Sequence, residues 1–148
     1  MDLFTAMQAS SSALTAERTR MNLISSNLAN ANTTRTPGGG PYKRKDAVFT
    51  AAPLKDGFGN ALDRAAAGQG AGVDGVQVTQ IVEDKSPPRM QYDPTNPDAN
   101  AQGYVAMPNV NVVEEMADMI NASRAYEANV TAAQAAKNMA LKTLEIGR

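Results

Sequence analysis

Pro108-Asn109-Val110-Asn111-Val112-Val113-Glu114-Glu115-Met116-Ala117-Asp118-Met119-Ile120 decides the architecture, because here an irregular chain turns into a long helix. Pro108 cannot extend a preceding ladder. Asn111 offers a side-chain oxygen as an N-cap, and Glu114 stands three residues on, a capping box with Asn in place of Ser or Thr. No Gly or Pro follows until Gly147. Val112, Met116, Met119, Ser123, Tyr126, Val130, Ala133, Lys137, Ala140 and Leu144 recur at the alternating spacing of a coiled-coil seam. Val113, Ile120 and Leu141 widen the seam, and Lys137 is its polar exception. The spacing predicts a rod of about 35 residues and roughly 50 Å. Glu114, Glu115 and Asp118 sit on the first turns, where carboxylates complement the positive helix end, and Glu115 is placed off the seam.

A second helix is predicted at the other end, over residues 5–30, which also lack Gly and Pro. Met7, Leu14, Met21 and Leu28 form one heptad row, and Leu3, Ser10, Glu17, Ile24 and Ala31 the other. Asp2 is the candidate cap. Asn27, Asn30 and Asn32, then Thr-Thr-Arg-Thr-Pro-Gly-Gly-Gly, end the helix.

Between them, residues 35–110 hold every Pro and all but one Gly. Strands are predicted over residues 42–52 and 76–82, the second from the alternation of Val76 and Val78 with Gln77 and Thr79. Residues 90–92 and 104–107 are shorter strand candidates, and residues 54–72, rich in Gly and Ala, read as a flexible loop or insertion. The fold class is therefore mainly α with a small β-rich middle. Residues 1–34 and 111–148 form a discontinuous coiled coil, and residues 35–110 form a β and loop domain. Trp is absent and aromatics make up 5% of the chain, so small side chains would give a thin core. Two such helices leave apolar rows for other chains to cover.

Composition excludes much chemistry. The formal net charge is −1, and the one basic cluster, Lys43-Arg44-Lys45, is followed at once by Asp46. That cluster reads as a solvated face or an ion-pair partner, and no nucleic-acid partner is expected. With no Cys and no His, thiolate nucleophiles, imidazole bases, disulfides and most zinc or copper sites are gone. No stretch approaches the roughly 18–20 apolar residues of a membrane span, so no membrane insertion is expected. The N-terminus lacks the features of a cleaved leader.

Four local patterns resemble sites. Gly70, Gly72 and Gly75 match a dinucleotide-binding pattern but precede a strand instead of following one. Gly38-Gly39-Gly40 runs into Pro41 and cannot be a phosphate cradle. Asn96, Asp98 and Asn100 have the spacing of a calcium loop, but Ala101 and Met107 stand where Gly and Glu are needed, so side-chain-capped turns are expected. Ser10-Ser11-Ser12 has no His partner, and nothing selects a Lys for it. The expectation is no catalytic residue, no metal, no cofactor and no small-molecule substrate, and the chain is not read as an enzyme.

Ser25-Ser26-Asn27-Leu28-Ala29-Asn30-Ala31-Asn32-Thr33-Thr34 resembles the N-terminal signature of the flagellar rod and hook axial proteins. That signature continues into Gly-Tyr-Lys-Arg. Here the corresponding stretch is Gly39-Gly40-Pro41-Tyr42-Lys43-Arg44, preceded by an extra segment. Gly103 through Met116, then Ser123-Arg124-Ala125-Tyr126-Glu127-Ala128-Asn129, then Leu141 to Gly147, are similar to the last helix of the family's proximal-rod branch. Tyr92-Asp93-Pro94 and residues 96–100 fit that branch too. Asn27, Ala29, Asn30, Tyr42, Pro108, Asn109, Asn111, Arg124 and Tyr126 carry the motifs.

The resemblance implies a structural subunit whose terminal helices build a tube wall around a central export channel, with the middle domain outside. It implies export through the flagellar type III apparatus without leader cleavage, and assembly in the periplasm into the torque-transmitting rod. The implied partners are copies of the chain, other rod subunits, the membrane-ring base and the export apparatus. The expected assembly interface comprises Leu3, Met7, Leu14, Met21, Ile24, Leu28, Val112, Met116, Met119, Ile120, Tyr126, Val130, Leu141 and Leu144. Two alternatives stay open at this point: another axial flagellar subunit, or a secreted helical binding or effector protein with a self-sufficient middle domain.

Overall fold

The computed structural model describes residues 3–54 and 74–146. The Asp2 cap, nearly all of the 54–72 loop, and Gly70 and Gly72 lie outside them. Helix α1 spans Leu3–Ala29, strand β1 Lys45–Pro53, β2 Asp74–Glu83, β3 Arg89–Tyr92, β4 Tyr104–Met107, and helix α2 Val112–Ile146. Two long helices thus flank a small β region. β1 pairs with β2, and β3 pairs with β4, in separate two-stranded sheets.

Local chemistry explains the boundaries. The Asn111 side-chain oxygen accepts from the Val113 N–H at 3.1 Å, which is the N-cap bond expected for α2. β1 ends at Pro53, which has no N–H to give a ladder. β3 and β4 run antiparallel, with Tyr92 opposite Tyr104 and their rings edge to face at a centroid distance of 5.3 Å. The connecting residues 93–103 are turns closed by side-chain oxygens. Asp93 accepts from the Thr95 N–H, Asn96 from Asp98, and Asn100 from both Gln102 and Tyr104. The Asn96, Asp98, Asn100 spacing is thus used for Asx turns. Gly103 ends the loop at φ +81°, and a Cβ there would meet the Tyr92 ring at 2.9 Å.

The extra segment after α1 is looped out. The Tyr42 N–H donates back to the Thr33 carbonyl at 3.0 Å, and the Thr36 N–H donates to the Gly40 carbonyl at 2.9 Å. Gly39 and Gly40 make the turn at φ +82° and +79°. The chain leaves at Thr33 and returns beside it at Tyr42.

Two compact units are present. Among the described residues, one comprises 3–18, 49–54, 74–79 and 123–146; the other comprises 19–48 and 80–122. In the first, the start of α1 keeps company with the end of α2. In the second, the end of α1 keeps company with the start of α2. Buried in the second unit are Ile24, Asn27, Ala31, Val105, Pro108, Val110, Glu115 and Ala122. In the first, Ala16, Gly75 and Ala136 are buried among the described residues.

Gly75 marks a close approach within the first unit. A Cβ there would meet Leu54 Cδ2 at 2.7 Å and Ser12 Oγ at 2.8 Å, and the same Ser12 hydroxyl accepts from the Val76 N–H at 3.0 Å. Leu54 can swing away, but Ser12 is short and engaged. Gly75→Ala is expected to cost about 1–3 kcal/mol through this overpacking. Urea denaturation of the full chain measures it, and an unchanged midpoint would show that the strand simply shifts outward.

Candidate assembly interface

The heptad rows divide into a stripe that the chain buries itself and a stripe that it leaves open. On α2, Glu115, Ala122 and Ala136 are buried, and Met119, Tyr126, Asn129, Ala133 and Ala140 are half-buried. The row through Met119, Tyr126, Ala133 and Ala140 is the one expected from the periodicity. Its companion is not the expected row of Met116, Ser123, Val130, Lys137 and Leu144. It is Glu115, Ala122, Asn129 and Ala136, one residue back and so about 100° round the helix. Small residues won that place because they let the helices approach, and Glu115 won it because it is paired.

Val112, Val113, Met116, Ile120, Val130, Leu141 and Leu144 are exposed large apolar side chains, as are Phe4 and Met7 on α1. Among the candidate interface residues, Ile24 is buried, and Leu14, Met21, Leu28, Met119 and Tyr126 are half-buried by the chain itself. The side chain of Leu3 lies outside the described residues. Large apolar side chains left exposed repeatedly along a helix mark a candidate contact site.

Beside this open stripe stands a buried polar network in the second unit. The Asn27 side chain uses all of its hydrogen-bonding capacity. Its oxygen accepts from the Tyr42 hydroxyl at 3.0 Å and from the Lys45 N–H at 2.9 Å. Its amide nitrogen donates to the Lys45 carbonyl at 2.9 Å and to Glu115 Oε2 at 3.1 Å. The other Glu115 oxygen accepts from Arg44 Nε at 2.6 Å. Arg44 reaches on to Asp46 at 3.3 Å and Asp118 at 3.7 Å. Partial burial opposes the charge of Arg44, but the hydrogen bond and attraction to Glu115, and then Asp46, outweigh it and raise its pKa further.

This corrects the placing of Glu115 off the seam, as an acid that only complements the positive helix end. It is 1% exposed and is among the largest fully buried side chains. Arg44 takes the ion-pair reading of the basic cluster. Of the motif residues, Asn27 and Tyr42 meet in this network, Pro108 is buried beneath the start of α2, and Asn111 caps α2. Asn30 accepts from the Thr33 hydroxyl and donates to the Ser26 carbonyl, so it closes the helix end locally. Ala29, Asn109 and Arg124 are exposed.

The chain matches the family model described as flagella basal body rod protein over residues 7–35. It also matches the flagellar basal body rod FlgEFG protein C-terminal model over residues 101–146. The flagellar basal-body rod protein FlgC of Bacillus subtilis is 45% identical over the full length of both chains. The chain belongs to the FlgC family of flagellar basal-body rod proteins. The FlgC protein of Borreliella burgdorferi is 44% identical over 99% of this chain and 98% of its own, and that of Salmonella typhimurium 42% identical over the full length of both. The two family-model matches cover most of α1 and all of α2, and the second begins just before β4. The exposed apolar stripe lies largely on the matched segments, as do Asn27, Glu115 and Asp118 of the network, whereas Tyr42, Arg44, Lys45 and Asp46 lie between them.

Proposed function

We propose that the chain is a structural subunit of the flagellar basal-body proximal rod, serving motility, and that it polymerises through its terminal helices. Full-length similarity to FlgC proteins carries the assignment to the rod. The exposed stripe of Val113, Met116, Ile120, Leu141 and Leu144 supports the mode of assembly, since apolar side chains that the chain leaves open gain free energy when a neighbouring subunit covers them. Neighbouring copies and other rod subunits cover the stripe. Residues 1–34 and 111–148 form the inner, channel-lining part, and residues 35–110 the outer part. The subunit works without cofactor or catalysis, reaches the periplasm through the flagellar export apparatus with no leader removed, and joins the membrane-ring base to the rest of the rod.

Deleting the gene is expected to leave cells non-motile and basal bodies without a complete rod, while basal bodies purified from the parent contain the chain. Complete rods and motile cells after deletion would refute the reading.

A further inference from the structure

We propose that Glu115 fixes the register in which α1 and α2 pair. The inference concerns pairing within one chain, and its test does not depend on rod assembly.

Among the described residues, the apolar side chains buried on the helices are Ala16 and Ile24 on α1 and Ala122 and Ala136 on α2. Three of these four are alanines, which specify position poorly. Sliding α2 by one heptad, about 10 Å along the axis, puts Ala122, Tyr126, Asn129, Ala133, Ala136 and Ala140 where Glu115, Met119, Ala122, Tyr126, Asn129 and Ala133 stand, and each incoming residue is already buried or half-buried. What does not repeat is the pair of fully buried polar side chains, Asn27 and Glu115, each 1% exposed.

The α1 side of this pair is rigidly set. Asn27 is held by Tyr42 and by both backbone groups of Lys45, so the neighbouring Arg44 stands at the same level as the amide. On α2, Glu115 accepts from both Asn27 and Arg44, at 3.1 and 2.6 Å. A one-heptad slide carries its carboxylate about 10 Å from these donors, and a buried carboxylate stripped of its partners is strongly unfavourable. A single buried polar contact in a helical seam is the best-attested way to select one alignment. Glu115 is thus a positioning residue whose effect is to forbid slipped pairings.

The chain has no Cys, so two introduced cysteines can carry spin labels without competition. Ser25 on α1 and Ala117 on α2 are exposed and suit the purpose. Pulsed electron-spin distance measurements on the full-length chain should give one distance in this background. Glu115→Gln should keep it, because the amide oxygen still accepts from Asn27. Glu115→Leu should add a second population displaced by about 10 Å along the axis, with helix content by circular dichroism unchanged. Leucine fits the site, and Arg44 retains Asp46 and Asp118. A single unshifted distance in Glu115→Leu, loss of its helix content, or a spread of distances already in the background would each overturn the proposal.

Discussion

Ile120→Asp is expected to abolish incorporation into the rod while leaving the chain's own fold intact. Ile120 is 54% exposed, so the chain itself gains little from it. If neighbouring subunits cover it, aspartate removes an apolar contact and places a carboxylate in a dry interface, a loss of roughly 3 kcal/mol or more. That is about a hundredfold in each association step, repeated for every subunit. Asn121→Asp, next along α2 and also exposed, is the control, with an expected effect within about 0.5 kcal/mol. Sedimentation and denaturation of the purified variant report on the fold, and immunoblots of purified basal bodies report on incorporation. Normal incorporation of Ile120→Asp would move the interface to another face. Met119 is the poorer probe because it is half-buried by its own chain, so Met119→Asp confounds folding with assembly.

The other large effect is expected inside the fold. Arg44→Ala leaves Glu115 buried with Asn27 as its remaining donor. Removing one member of a buried ion pair costs about 3–5 kcal/mol, and the lower end applies because the Arg44 side chain is 26% exposed and water can partly replace it. Adding Glu115→Leu to Arg44→Ala should recover part of the loss, since no buried charge then remains, while the Asn27 amide gives up one acceptor. A double-mutant cycle by urea denaturation separates the pair from the packing of each side chain. A loss under about 1 kcal/mol for Arg44→Ala would mean that water reaches Glu115 freely.

The elements were legible in the sequence because Pro and Gly punctuate it sharply and the heptads between them are long. Asn111 announced α2 by its chemistry, and Val76 to Val82 announced β2 by alternation. Half of the α2 seam was legible as well, through Met119 and Tyr126. The other half was not, because periodicity weighs side chains by apolar size, and Met116, Val130 and Leu144 outweigh Ala122 and Ala136. Burial in a close helix pair follows the reverse preference. The polar network was hidden for a different reason. Arg44 and Glu115 are 71 residues apart, and only the fold brings them within 2.6 Å. Each looks like an ordinary surface charge until its partner is known. Asn27 and Tyr42 were picked out by family motif alone, and their mutual hydrogen bond supplies the physical reason for both.

The loop closed between Thr33 and Tyr42 separates contour length from position. Because the return of the chain is set by the Tyr42-to-Thr33 hydrogen bond and by Asn27, the residues between act as slack. Homologous chains can differ in length here without moving the network, which accounts for a signature motif that is interrupted yet intact. For the experimenter, the tip at Pro37 and Gly38, with open space around Gly38, is a natural insertion point for an epitope or fluorophore. A tag placed there would report where the subunit sits while leaving both helices untouched.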